Sequence, residues 1–458
     1  MLKIFQRKKI DFTDGPLFWK LVTFMLPIIA TSLLQILYDL ADKIVVGQFS
    51  GDPNALGAIG STSFISGLII NFLIGVGAGA GVLVAQAYGA KDDDAVSRST
   101  HNAFILALIL STVMSIIAFA TASPLLRLLD TDETLFDSAL LYLNIIYSSI
   151  FASAIYNIGA SVLRAIGDSS TSLSIGLISG LINVLLNLFF VIVCQIAVAG
   201  VALATTLSQV LSMILTIRCL MKSEGMCHLE LRKLRIYKDK LLQLLRIGIP
   251  AGLQGCVFSF SNVIIQSSIN SFGAAVISGN TASASIDGFM FCALDAFNQT
   301  TTSSISQNMG ARQYKRSEKV VKYCTVLVIA IGLFLGTMCI IFREPLVGIY
   351  AKEADVIGYG AYRLLIVSPA FFTAGLMNMM GGVNRGLGYA VLPTVVALIG
   401  ACAFRIVWIF TLFAAMPTLF MLYISYPITW ALTAAAHYVC YFIIRKKAYA
   451  KNEALYAE

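Results

Sequence analysis

The chain has 458 residues, of which 58% are hydrophobic and 12% charged, with a mean hydropathy of +0.83. A soluble domain carries about twice that share of charge, so the composition excludes that class and identifies a polytopic membrane protein. The net charge of +8 does not point to nucleic acid, because the basic residues cluster in loops between apolar runs. Nine cysteines are scattered singly without a CxxC, and three lone histidines (His101, His228, His437) form no constellation, so neither a disulfide framework nor a metal site is expected.

The segment Leu2 to Lys9 is basic, and the apolar run after it is too long for a signal-peptide core. We therefore expect no cleaved leader and a start that lies on the cytoplasmic membrane surface. Apolar runs of 18 or more residues then give twelve spans. Their cores are 17–42, 55–85, 101–123, 136–162, 173–193 and 196–219, followed by 241–268, 274–305, 320–342, 356–383, 391–414 and 418–444. The stretch Lys222 to Lys240, with Arg232, Lys233, Arg235 and Lys238, is the most polar. It reads as a cytoplasmic linker (222–240) between an N-lobe (1–221) and a C-lobe (241–458).

Span one ends in Tyr38-Asp39-Leu40-Ala41-Asp42-Lys43. Asp39 and Asp42 are three residues apart, so they share one helix face. Charges inside a span are expensive and usually serve a pathway, a relay or a coupling ion. The bland alternative is that both acids merely end the span at the outer interface. Two carboxylates one turn apart in low dielectric cannot both ionise cheaply, so one holds its proton toward neutral pH. Lys43, four residues after Asp39, acts the other way by favouring the charged form. Pro27 removes a backbone donor and makes the span easy to bend.

Charge fixes the expected orientation. The N-terminus, the linker with Arg218 and Arg246 on its flanks, the loop Arg312–Lys322, the tail Arg445–Lys451 and the anchors Lys91, Arg98, Arg164 and Arg385 put 26 of the 32 Lys and Arg on one side. The opposite loops are left with Lys43, Arg127, Arg343, Lys352 and Arg363, and Arg405 sits within a span. The positive-inside rule then places both termini in the cytoplasm.

An internal repeat runs through the chain. Gln86-Ala87-Tyr88-Gly89-Ala90-Lys91 is echoed by Gln307-Asn308-Met309-Gly310-Ala311-Arg312, 221 residues later, and Leu163–Gly167 is echoed by Asn384–Gly388 at the same offset. Pro27 and Pro250 match at 223. Six spans return the chain to the same side, so the halves should be parallel repeats flanking a midplane cavity, which is a transporter architecture. The run Gly75-Val76-Gly77-Ala78-Gly79-Ala80-Gly81 suits close helix approach, with packing favoured over a hinge. Phe289, Met290, Phe291, Met377, Met379 and Met380 on spans eight and ten offer an adaptable drug-binding wall or ordinary helix contacts. Asp92-Asp93-Asp94 has no acidic partner cluster elsewhere and reads as a solvated loop.

Several of these stretches together resemble the bacterial multidrug and toxin extrusion (MATE) transporters. They are Thr13-Asp14-Gly15-Pro16, Leu26-Pro27-Ile28, Leu37–Lys43, Val46-Gly47, Gln86-x-x-Gly89-Ala90, Leu163-Arg164-Ala165-x-Gly167, Asn183–Phe189 and Gly200-x-Ala202-x-Ala204-Thr205. The resemblance covers essentially the whole chain. It implies an all-α polytopic membrane protein with twelve transmembrane helices in two pseudo-symmetric six-helix lobes. It also implies cation antiport of organic, often cationic, compounds by alternating access in a bacterial cytoplasmic membrane, with no cofactor and the chain acting as a monomer. Carried over residue by residue, the N-lobe ion site would be Asp42, Asn183, Asn187 and Thr205.

Three positions depart from the family pattern: Asn187 where Asp is usual, Asp39 where Asn is frequent, and Lys43 where a small residue is common. One physical reading is that the carboxylate missing at 187 is supplied by Asp39, one turn before Asp42. Acids typical of the NorM-like branch are absent from spans seven and ten, which carry Gln254, Asn262, Gln266 and Asn378 instead. That favours the DinF/MepA-like branch and an N-lobe coupling site. On span eight, Asp287 and Asp295 either bind a cationic substrate or pair with Arg405 as a buried polar link. H⁺ is favoured over Na⁺ as the coupling ion, because the Lys43 ammonium disfavours a second cation. Two rivals remain: a lipid-linked oligosaccharide flippase, which would want a strongly cationic cavity, and a polytopic membrane enzyme, for which no catalytic constellation appears.

Overall fold

A computed structural model describes residues 9–50, 54–129, 131–223, 228–230, 232 and 234–455. The expected basic residues Lys3, Arg7, Lys8 and Lys233 lie outside them. The described residues form helices and contain no strand. In chain order the helices are α1 (Leu17–Phe49), α2 (Ala55–Gly89), α3 (Asp93–Leu128), α4 (Glu133–Ser148), α5 (Ile150–Ala165), α6 (Ser169–Leu188) and α7 (Ala197–Met221). The second half continues with α8 (Lys238–Asn270), α9 (Ala274–Gly310), α10 (Tyr314–Ile341), the short α11 (Arg343–Gly348), α12 (Ala354–Val367), α13 (Phe371–Gly386), α14 (Val391–Ala397), α15 (Phe404–Trp408) and α16 (Leu419–Leu455).

Among the described residues ten helical segments are long and apolar enough to cross a membrane, and α4 with α5 makes an eleventh as a pair bent by 49°. The twelfth expected span, α9, has 37 residues but is too polar for that test. Asp287, Asp295 and the Ser, Thr and Asn residues that follow account for this, and most of its second half is buried. Two spans are broken rather than straight. The hydroxyls of Ser148 and Ser149 bond back to the carbonyls of Ile145 and Ile146 at 2.6 and 2.7 Å, which bends the chain between α4 and α5. Between α12 and α13, Ser368–Ala370 is a tighter helical turn around Pro369, which donates no backbone bond.

The repeat is visible in the backbone. Lys91 and Arg312, which end the two copies of the Gln-x-x-Gly-Ala motif, both have φ of 56°, and Gly167 and Gly388 have φ of 82° and 88°. A left-handed residue is uncommon outside glycine, so its recurrence at both Lys91 and Arg312 marks equivalent turns. Five-residue π-helical segments also follow α6 and α15, at Phe189–Val193 and Ile409–Phe413.

The chain divides into two compact units. Among the described residues, one comprises those within 9–11 and 26–252, the other those within 12–25 and 253–455, so the division runs through α1 and α8 rather than through the linker. Local bonding explains both assignments. The amide of Phe12 donates to Oε1 of Gln307, and Arg316 Nε and Asn308 Nδ2 donate to the Phe12 carbonyl at 2.6 and 3.3 Å, tying the start of α1 to the second unit. In the first unit, a Cβ on Gly75 would fall 2.4 Å from the Gly252 nitrogen, and one on Gly79 would fall 2.6 Å from that of Gly248. The glycine run of α2 therefore lets the backbone of α8 lie directly against it. The first unit is built on α2 packed against α3, α4 and α5, with α7 against α4, α5 and α6. The second is built on α13, which packs against α9, α10 and α16 around a core that includes Phe371, Leu364, Val367, Tyr423 and Trp430.

Candidate functional site

Each unit holds a cavity among helices, lined by polar and apolar side chains together. In the first unit the cavity measures about 270 Å³, and its walls include Asp39, Asp42, Tyr38, Asn183 and Thr205. Asn187 lies behind them, buried, and connects them. Its Nδ2 donates to Oδ1 of Asp42 and, at 3.3 Å, to Oδ1 of Asn183. Asn183 Nδ2 in turn reaches Thr205 Oγ1 at 3.5 Å. The four residues Asp42, Asn183, Asn187 and Thr205 thus form one hydrogen-bonded chain across α1, α6 and α7. Asn183 and Asn187, four residues apart, share one face of α6. The Oδ1 of Asn187 is buried and has no partner among the described residues. Asp39 lines the same cavity with its side chain more open, whereas Lys43 is exposed and is not part of the wall. Tyr142 of α4 lies within electrostatic reach of both carboxylates.

Two residues that seat this site escaped the sequence reading. A Cβ on Gly180 would lie 1.7 Å from the Tyr38 ring, so only glycine lets that ring rest on α6. Tyr38 immediately precedes Asp39, and its contact with α6 sets how α1 presents the acids to Asn183 and Asn187. The signal was available as Gly176-x-x-x-Gly180, a small-residue spacing for close helix approach. Pro27 lies within α1, one residue into the first unit, and its carbonyl accepts from Thr31 Oγ1 at 2.8 Å.

The second unit has the larger cavity, about 450 Å³. Of the expected substrate-cavity residues it collects Asp287, Asn262, Gln266 and Asn378, with Met377 and Phe291 from the aromatic and methionine set. Gln254, Asp295 and Met290 are not in its wall. Gln254 Oε1 instead accepts from Arg385 at 3.4 Å and Thr394 at 3.3 Å. Asp295 accepts from Gln299 Nε2 at 2.7 Å, and Met290 packs against the apolar core.

The charge pairing corrects the expectation for the acids. Asp287 meets Arg363 of α12, with Nη1 and Oδ2 2.7 Å apart and side-chain exposures of 8% and 6%. It does not pair with Arg405. Arg363, read from sequence as an outer loop residue, is inside a helix and buried. Arg385, read as a cytoplasmic anchor, is also buried and donates to Asn298 Oδ1 at 2.7 Å. The buried charge of this unit is therefore not mainly acidic. Arg405 donates to Thr429 Oγ1 at 2.9 Å and stacks over the Tyr426 ring, 4.3 Å from its centroid. Among the described residues no cluster of His, Cys, Asp and Glu suited to a metal ion is present, and no two described cysteines form a disulfide.

Comparison with known proteins agrees with this architecture. The MatE family model matches twice, over residues 27–189 and 250–411, which are the two copies of the repeat. The "Probable multidrug resistance protein YpnP" of Bacillus subtilis (strain 168) is 28% identical over 87% of this chain and 89% of its own length. The "Multidrug export protein MepA" of Staphylococcus saprophyticus subsp. saprophyticus is 22% identical over 85% of this chain and 86% of its own. A crystal structure of a MATE in complex with MaL6 superposes with a TM-score of 0.90 at 20% identity, over 97% of this chain and 99% of that one, and shares its fold. With both halves matched by the same model, this chain belongs to the MatE family of membrane transporters, proteins that move solutes and are not enzymes.

Proposed function

We propose that the chain is a secondary active multidrug exporter, driven by exchange of a cation, with H⁺ favoured over Na⁺, for small organic compounds. The observation that carries this reading is the Asp42–Asn187–Asn183–Thr205 chain, with Asp39 beside it, inside a cavity otherwise walled by helices. Acids inside a membrane span are costly and mark ion pathways and proton relays. Asn187 already donates to Asp42; once Asp42 takes up a proton, its hydroxyl donates to the unpartnered Asn187 Oδ1 as that amide turns over. One site thereby holds the charged and the neutral form with different partners, which a coupling site requires. The names of the relatives YpnP and MepA support organic compounds as cargo.

Coupling requires that ion and cargo favour opposite-facing states, because a ligand that binds both equally shifts nothing. α1 supports such a link. It belongs to the second unit up to Met25 and to the first from Leu26, and Pro27 sits at that passage. Protonation that rearranges the Asp39/Asp42 turn is transmitted along α1 to a point already able to bend. For a neutral cargo, one charge gains about 2.3 kcal/mol per 100 mV, so a potential of about 120 mV meets the cost of about 2.7 kcal/mol for a hundredfold gradient; exchange of one proton for a monovalent cation is electrically neutral and draws on the pH gradient instead. The excess of Lys and Arg on one side supports cytoplasmic termini in a bacterial cytoplasmic membrane, and the chain acts as a monomer in this reading. The flippase rival asks for a strongly cationic cavity, whereas the second-unit cavity combines two guanidinium groups with one carboxylate. The test is accumulation of rhodamine 123 in cells expressing the protein, with and without an uncoupler. Lower accumulation that the uncoupler abolishes supports the reading, and accumulation unaffected by expression overturns it.

A further inference from the structure

Arg405 is 3% exposed and forms part of the cavity wall in the second unit. Its surroundings supply a hydroxyl, a ring face and a thiol (Thr429, Tyr426 and Cys402) but no carboxylate, and its Nε is unpartnered among the described residues. The one acid in the wall, Asp287, is already matched by Arg363. One buried positive charge is therefore left over, and an uncompensated buried charge costs several kcal/mol unless something neutralises it. A guanidinium is also the side chain best shaped to take a carboxylate, sulfonate or phosphate group in two parallel hydrogen bonds.

The rest of the cavity suits the body of such a ligand. Phe258, Phe291, Tyr426 and Trp430 contribute ring surface, with Phe291 and Tyr426 set edge-on to Trp430 at 5.8 and 5.6 Å. Asn262 and Asn378 add amides. Its volume of about 450 Å³ lies within the range of about 300–1,000 Å³ typical of small-molecule sites. We propose that this cavity binds an aromatic organic anion, its acidic group on Arg405 and its ring system against Phe291 and Trp430. The inference rests on the export reading only in taking that anion as cargo.

The test uses purified full-length protein and two dyes of one xanthene scaffold, anionic fluorescein and cationic rhodamine 123, followed by fluorescence polarisation. Arg405→Gln weakens fluorescein binding at least tenfold and changes rhodamine binding less than twofold, while Arg405→Lys recovers part of the loss. Unchanged fluorescein affinity in Arg405→Gln, or an equal loss for both dyes, overturns the proposal, because the second outcome is what a purely structural Arg405–Tyr426 stack would give. Should the variants fail to fold, competition on the unmodified protein decides. Naphthalene-2-sulfonate displaces fluorescein and a naphthylmethyl trimethylammonium salt does not; equal displacement by both, or by neither, refutes the assignment. Added displacement by dihexanoyl-phosphatidylglycerol, but not by its choline counterpart, assigns the anion to a lipid headgroup, and displacement by the sulfonate alone assigns it to a soluble compound. Uncoupler-sensitive rhodamine export together with Arg405-independent fluorescein binding sinks this inference and spares the export reading. The reverse pair of results does the opposite.

Discussion

Gly180→Ala is the smallest change that reaches the first-unit site without touching a polar group. The new Cβ would lie 1.7, 2.2 and 2.3 Å from three atoms of the Tyr38 ring. Carbon pairs prefer about 3.5 Å, so the ring must retreat by about 2 Å or α1 must move away from α6. Overpacking of this kind costs about 1–3 kcal/mol, which leaves a folded protein with a displaced Tyr38. Asp39 adjoins that residue and Asp42 is one turn further on, so the hydrogen bond from Asn187 to Asp42 lengthens with it. Transport in proteoliposomes should fall about tenfold or more, since about 1.4 kcal/mol of misalignment suffices for that factor. Tyr38→Ala removes the clash, so Gly180→Ala should add little in a Tyr38→Ala background, a coupling that a double-mutant cycle reads directly. Wild-type transport by Gly180→Ala, or strict additivity of the two changes, would refute the idea that this contact seats the acids.

Three further outcomes follow from the geometry. Asp287→Asn leaves Arg363 buried beside a neutral partner, so thermal unfolding in detergent should show a loss of about 3–5 kcal/mol, whereas replacing both residues with leucine recovers most of it; no loss in the single variant would mean the pair contributes nothing. Pro27→Ala restores a backbone donor at the passage of α1 between the units and should retain cargo binding while slowing turnover; unchanged turnover counts against a bend there. If Asp39 replaces a carboxylate at 187, then Asp39→Asn combined with Asn187→Asp restores transport that each single change lowers; a double variant as inactive as the singles rejects the exchange.

The first-unit site was legible because its parts are local. Asp39 and Asp42 share a helical turn, Asn183 and Asn187 share another, and the family resemblance joins both to Thr205. The repeat was legible for the same reason, since Lys91 and Arg312 end motifs that recur at one spacing and now show one backbone angle. The second unit was harder to read. Asp287 and Arg363 are far apart in the chain, and an arginine near the end of a span reads as a loop residue until α12 is seen to bury it. The family pattern favours Asp287 over Asp295, but neither stretch shows that the first meets a guanidinium and the second Gln299. The assignment of α1 and α8 to two units each rests on long-range backbone contacts that apolar runs do not encode.

The account depends most directly on the two acids of α1 as carriers of the coupling cation. The measurement is rhodamine 123 movement in proteoliposomes under an imposed pH gradient, comparing the natural protein with the Asp39→Asn/Asp42→Asn variant. The account predicts gradient-driven transport by the first and only passive leakage with the second. Equal gradient-driven transport by both would contradict it.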